Sequence, residues 1–181
     1  MSGGSVRVLF VCTANVCRSP LAAGLMAFHA REQGAPVRVS SASVDDEIRS
    51  LYPLTQDRLA GRGIDLGRVV SQPISEQLVA GSDLVLVMTA DHARTVVGRF
   101  PDQLHKVFVL QHFAATVPLP SPGQELGEWL AATWATPRNY ASDTSWDVED
   151  PFMRSTAVFD AVEAELDAAT RWLATGLAAA R

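Results

Sequence analysis

The sequence predicts an α/β domain built on a parallel sheet. Three observations carry that reading. Apolar runs of strand length alternate with segments of helical period. Of the 181 residues, 48% are hydrophobic and 19% charged, enough apolar surface for one core without disulfide staples. The two strongest runs, VRVLFV from Val6 to Val11 and DLVLVM from Asp83 to Met88, are apolar almost throughout, as strands covered on both faces are.

Val6 to Val11 is the first strand, and a turn-like stretch follows it. From Ser19 the period becomes helical: Pro20 suits a first turn, Leu21, Leu25 and Phe28 share a face, and Gly34 is placed to end the helix. A second strand starts at Val37 to Val39. Thr55 is placed to cap a helix running to Arg62, closed by Gly63. The strand Asp83 to Met88 leads into a helix from Ala90 to Arg99 that Pro101 stops, and KVFVL from Lys106 to Leu110 is a fourth strand. Val158, Val162, Leu166, Ala169, Leu173 and Leu177 recur at three- or four-residue steps and predict a long last helix from Ser155, its stripe packed on the sheet. Between Phe113 and Trp146 the chain is least regular. Pro118, Pro120, Pro122 and Gly123 precede a short helix from Gln124 to Ala135, too small to fold as a second domain.

Composition excludes several functions. A net charge of −5 and the lack of a basic patch argue against a nucleic-acid partner. No apolar run approaches the roughly 20 residues of a membrane span, and Met1 to Ser5 does not resemble a signal peptide. The expected location is the cytoplasm, with no membrane partner. Two cysteines five positions apart, Cys12 and Cys17, make neither a disulfide framework nor a zinc site. His29, His92, His105 and His112 fit no metal spacing or nucleophile-base pair and read as surface or packing residues.

The informative stretch is Cys12-Thr13-Ala14-Asn15-Val16-Cys17-Arg18-Ser19-Pro20, between the first strand and the first helix. A loop that leaves a strand and enters a helix aims successive backbone N–H groups and the positive end of the helix dipole at one point. Phosphate, or another oxyanion, is the natural occupant. Cys12 at its start is stabilised as the thiolate and becomes a nucleophile. Arg18 at its end can clamp two phosphoryl oxygens, and Ser19 can donate a hydrogen bond to the sulfur.

This loop resembles that of the low-molecular-weight protein-tyrosine phosphatases: a Cys, five residues, an Arg, then Ser or Thr. Gly63-Ile64-Asp65, the strand Asp83 to Met88 and Asp150-Pro151-Phe152 before the last helix follow in the family's order. The resemblance implies a three-layer domain over residues 1–181, with a four-stranded parallel sheet flanked by helices and an irregular, family-atypical insertion at about 113–145. It implies a phosphate-binding loop of Thr13, Ala14, Asn15, Val16, Cys17, Arg18 and Ser19, with Cys12, Arg18 and Asp150 catalytic. Asp150 would be the proton donor, ahead of its neighbour Asp147, with Asp143 and Glu149 as solvated charge. The activity implied is hydrolysis of a phosphotyrosine-containing protein or small aryl phosphate through a cysteinyl-phosphate, without metal or other cofactor. Cys17 is either a packing residue or, as in pairs the family contains, a redox partner that captures oxidised Cys12. Arginine-rich, alanine-rich composition fits a bacterial member.

Four departures from the family pattern stand out. Ala14 replaces a common Gly. Arg68 stands where many members have a His supporting the loop's Asn, so the network from Asn15 to Ser41, the expected loop support, should be wired differently. Phe152 and Met153 replace tyrosines, and Glu47 falls near an aromatic position, leaving Tyr52, Trp146 or Phe152 to stack on an aryl substrate. Val16 lacks the hydroxyl by which a Thr in the family's arginine phosphatases recognises phosphoarginine, which favours phosphotyrosine. Two other readings stay open: an arsenate reductase of the same fold coupled to a small thiol, and a phosphate-binding regulatory pseudoenzyme. Trp172 reads as core. Trp129 and Trp134 read as docking the insertion to the body, or as a recognition surface.

Overall fold

In the computed structural model, which describes residues 4–64, 70–136 and 143–180, the first apolar run forms β1 (Val6–Cys12) inside the sheet. β2 (Val37–Ser43), β3 (Leu84–Val87) and β4 (Val107–Val109) join it in the order β2-β1-β3-β4, every pair parallel. Successive side chains leave opposite faces of a strand. Val6, Val8 and Phe10 therefore go one way with Leu84 and Leu86, and Leu9 and Val11 the other way with Val85 and Val87. The first face is covered by α1 (Arg18–Gln33), α5 (Leu110–Thr116) and α7 (Thr156–Ala179). The second is covered by α3 (Glu76–Ala80) and α4 (Ala90–Arg99). This is the predicted three-layer α/β architecture, and both faces of β1 being buried explains why its sequence does not alternate.

The sheet order also locates the site. β1 feeds α1 and β2 on one side, while β3 lies on its other side, so the chain changes direction around the carboxyl end of β1. Crevices at such switch points are where open α/β sheets bind ligands.

Most element ends follow their local chemistry. Gly34 closes α1 in the left-handed conformation (φ 70°), its N–H donating to Ala30 O. Thr89 and Ser155 cap α4 and α7 through their side-chain oxygens. Two expectations are corrected. α2 (Pro53–Ala60) starts before Thr55: Tyr52 takes the N-cap position, Pro53 supplies the fixed φ of a first turn, and Thr55 is fully buried inside the helix. The stripe of α7 is led by Phe159, 1% exposed, while Val158 is only half-buried, and its main partner is α1 as well as the sheet's core. Gly24 on α1 makes room for Leu59 of α2, whose side chain would meet a Cβ at that position.

The irregular region contains α6 (Leu126–Trp134), within the helix expected there. Leu126, Trp129 and Leu130 are buried in the main core. Trp134 Nε1 donates to Asp83 O at 2.9 Å and ties this segment to the body, whereas Trp129, whose Nε1 donates at 2.9 Å to Pro118 O within the segment, docks through its burial in the core. Trp172 is half-buried, edge-on to Phe113. Among the described residues no helix is long and apolar enough to cross a membrane.

Candidate active site

β1 ends at Cys12 and α1 begins at Arg18, so the loop between them is pinned at both ends by regular structure. Its carbonyls are engaged on the outside: Cys12 O accepts from Val44 N, Thr13 O from Asp45 N and Val16 O from Tyr52 N, each at 3.0 Å. In a trans peptide the N–H points away from the carbonyl, so the amides of Thr13, Ala14 and Cys17 face the other way, into the concavity. Asn15 takes the left-handed turn (φ 53°), which Asn tolerates better than most residues.

A hydrogen-bond chain fixes the sulfur. Cys12 Sγ lies 3.0 Å from Ser19 Oγ, and Asn15 Nδ2 donates to the same Ser19 oxygen at 2.8 Å. Because Asn15 supplies a donor to that oxygen, the Ser19 hydroxyl hydrogen is left for the sulfur, with Ala42 O a more distant acceptor at 3.4 Å. Asn15 Oδ1 in turn accepts from Gln72 N at 3.1 Å, and Gln72 Nε2 donates to Ser41 O at 2.8 Å. Among the described residues Ser41 enters the loop's support through its backbone, by way of Gln72, and the described contacts of Asn15 are to Ser19 and Gln72. Arg68 and Asp65 lie outside the described residues.

Arg18 is 5% exposed and held on three sides. Nη1 donates to Val148 O at 3.0 Å, and Nη2 donates to Asp150 Oδ2 at 2.9 Å and to Thr13 Oγ1 at 3.4 Å. The segment carrying Asp150 is anchored before it reaches the pocket: Val148 N donates to Met88 O, and Asp147 Oδ1 accepts from Ala90 N at the start of α4. This separates the local acids. Asp147 is occupied as an anchor, Asp143 binds Ser145 and Trp146, and Glu149 pairs with Arg154 on the surface. Asp150 lines the pocket, its other oxygen accepting from Phe152 N.

The pocket has a volume of about 240 Å³. Cys12, Thr13, Ala14, Val16, Cys17 and Arg18 form its floor and walls, and Asp45, Arg49, Asp150 and Phe152 its mouth. Of the three candidate aromatics, Phe152 lines the mouth, with Tyr52 edge-on behind it at 5.4 Å between ring centres. Trp146 instead packs on His112. Cys17 shares the pocket with Cys12, and both thiols are free. Burial pushes the Cys17 thiol up to about 12 despite the neighbouring Thr55 hydroxyl, so at neutral pH it stays protonated and does not compete as a nucleophile.

Two contributions were not found in the sequence. Arg49, bound to Asp45 at 2.7 Å and to Glu47 at 2.5 Å, stands at the mouth, in a segment whose charge run carries no motif. His92, expected as a surface or packing residue, is 5% exposed and reaches the loop, with Nε2 2.9 Å from Thr13 Oγ1. Burial first, and the Arg18 charge next, push its pKa down to about 4, so the ring is neutral. Thr89, which caps α4, holds Nδ1 at 2.9 Å.

A thiol at the base of an amide-lined cup, an arginine on its wall and a carboxyl at its mouth define a cysteine-dependent phosphatase. Comparison with known proteins gives the family. The profile described as low molecular weight phosphotyrosine protein phosphatase matches residues 7–125. A protein-arginine-phosphatase of Bacillus subtilis (strain 168) is 30% identical over 171 residues, covering 94% of this chain and 95% of that protein. The crystal structure of a low molecular weight protein tyrosine phosphatase from T. tengcongensis superposes with a TM-score of 0.72 at 27% identity, covering 93% of this chain and 97% of the other. A YwlE arginine phosphatase with a phosphorylated active-site serine superposes at 0.71 with 29% identity, over 93% of each chain. The chain belongs to the low molecular weight phosphotyrosine protein phosphatase family, which acts through a cysteinyl-phosphate intermediate.

Proposed function

We propose that this phosphatase hydrolyses phosphotyrosine in cytoplasmic proteins, with Cys12 as nucleophile, Arg18 as oxyanion clamp and Asp150 as proton donor. The Cys12 thiolate attacks phosphorus in line with the ester oxygen. The S–P bond forms as the P–O ester bond breaks, and Asp150 gives its proton to the departing phenolate. Loop amides and the Arg18 guanidinium hold the charge on the equatorial oxygens. Water then attacks the cysteinyl-phosphate, its proton passing to Asp150, and the S–P bond breaks to release phosphate and restore the thiolate.

The observation that carries the choice of substrate is the pair of apolar side chains Val16 and Phe152 among the charged groups of the pocket. Val16 contributes an aliphatic wall without a hydroxyl, and Phe152 offers a ring face at the mouth to an aryl group. The match to an arginine phosphatase along nearly the whole chain supports a second reading, phosphoarginine hydrolysis. Matched phosphotyrosyl and phosphoarginyl peptides decide between them. The expected result is a higher kcat/KM for phosphotyrosine, with Val16→Thr narrowing the gap. A higher kcat/KM for phosphoarginine in the wild type overturns the choice while leaving the chemistry of Cys12 intact. Arsenite release from arsenate with a small-thiol donor is expected to stay at background.

A further inference from the structure

Besides the Asn15–Ser19 chain that fixes the sulfur, a part-buried polar chain reaches the pocket with no role in the mechanism above. It runs from Thr89 at the start of α4, through the His92 ring, to Thr13 in the loop. We propose that His92 acts as a positioning residue that turns the Thr13 hydroxyl into a hydrogen-bond donor to the phosphoryl oxygens of the substrate.

The direction of each hydrogen follows from counting donors and acceptors. Thr89 Oγ1 already accepts from His92 N at 3.2 Å, and its single hydrogen has His92 Nδ1 as acceptor at 2.9 Å. The neutral ring then carries its proton on Nε2 and donates to Thr13 Oγ1 at 2.9 Å. The opposite tautomer would turn the Thr89 hydrogen away from the ring, where no acceptor is found among the described residues. It would also spend the Thr13 hydrogen on His92. Hydrogen positions are thus assigned from the network. Thr13 Oγ1 also faces the Nη2 of Arg18 at 3.4 Å. With both lone pairs facing donors on the protein side, the hydroxyl hydrogen is left to point outward from an exposed residue that lines the pocket beside Cys12.

The chain's rigidity is what makes that direction useful. His92 sits in the capped first turn of α4, and the same turn binds Asp147 through Ala90 N. One helix end therefore sets both the Thr13 hydroxyl and the segment that carries Asp150. A donor oriented in advance costs no reorganisation when charge builds on the phosphoryl oxygens. The low pKa of the ring keeps the relay in one protonation state across the neutral range.

This inference rests on the oxyanion pocket assigned above, and its test separates the two. Vanadate affinity and p-nitrophenyl phosphate turnover are measured for Thr13→Val, Thr13→Ser, His92→Gln, His92→Ala and the Thr13→Val/His92→Ala double variant, with folding followed by thermal melts. Removing a hydrogen bond to a charged oxygen predicts roughly a tenfold loss of vanadate affinity and of kcat/KM in Thr13→Val. Thr13→Ser restores both, and His92→Gln, which keeps an N–H near the Nε2 position, retains most of each. His92→Ala matches the loss in Thr13→Val and adds little to it in the double variant. Additive losses, or a Thr13→Val variant with wild-type vanadate affinity, overturn the relay. Failure of the wild type to bind vanadate or turn over overturns the pocket assignment itself, and the relay with it.

Discussion

The pocket has a buried wall and an exposed one, and they are built by different means. Cys12 and Arg18 of the pocket's lining, and Asn15, Ser19 and His92 that brace the loop behind it, are each at most 5% exposed, and hydrogen bonds from β2, α1 and α4 interlock them. The Asp150 side chain is 53% exposed, and Phe152 is 48% exposed. Asp150 is held by one guanidinium and a local turn. The difference separates two tasks. The buried wall holds dipoles and a sulfur in fixed geometry, where fixed charge stabilises a transition state most. In the proposed mechanism the exposed wall admits the ester, delivers a proton and lets the product leave, tasks suited to groups with few restraints.

Substitutions should therefore fail in different ways on the two sides. Cys12→Ser, on the buried wall, is expected to fold and bind vanadate or phosphate but lose turnover on every ester by roughly 10⁴-fold or more. Wild-type p-nitrophenyl phosphate turnover in that variant would remove Cys12 from the mechanism. Asp150→Asn, on the exposed wall, should cost roughly 10²- to 10⁴-fold in kcat. Its loss should depend on the leaving group, being larger for phenyl phosphate than for p-nitrophenyl phosphate, because the more basic phenolate needs the proton more. Equal losses on the two esters would show that Asp150 does not donate it.

A smaller effect concerns stability in acid. His92 has a folded pKa near 4, below the ordinary value of 6.5, so as pH falls through 6.5 the unfolded chain takes up its proton first. Its contribution is neutral above 6.5 and destabilising below, reaching on the order of 3 kcal/mol near pH 4. Urea unfolding of the wild type and His92→Gln should show the wild type losing more stability over that window. Parallel curves would contradict a buried neutral ring. The smallest change is redox: mild peroxide should oxidise Cys12 to the sulfenic acid. Cys17, which lines the same pocket but is held protonated by burial, should capture it only slowly as a thiol-reversible disulfide with loss of water. Sulfinic acid at Cys12 without that link, seen by mass spectrometry, would leave Cys17 a packing residue.

Legibility in the sequence divides along the same line. β1 and β3 could be read because both faces of each are covered, which leaves unbroken apolar runs, and Ala90–Arg99 could be read because its cap and Pro101 are local signals. Thr55 was misplaced because a cap preference is a weak local signal, overridden by Pro53 and by burial next to Cys17. The loop was visible because its residues are consecutive and the chemistry needs them in order. His92 and Arg49 were not, since His92 meets Thr13 of the loop from 79 residues away and Arg49 reaches the pocket mouth from outside the loop, and neither spacing repeats a motif. Gln72, which carries Asn15's support, acts partly through its backbone N–H, a contribution that side-chain identity does not reveal.

The central claim is that Cys12 carries the phosphoryl group between ester and water. Rapid acid quench of the enzyme during turnover of p-nitrophenyl phosphate, followed by peptide mass spectrometry, tests it directly. The account predicts one phosphoryl group on the peptide containing Cys12, located on that sulfur and absent in Cys12→Ser. A phosphoryl group on another side chain, formed and lost at the rate of turnover, would contradict it.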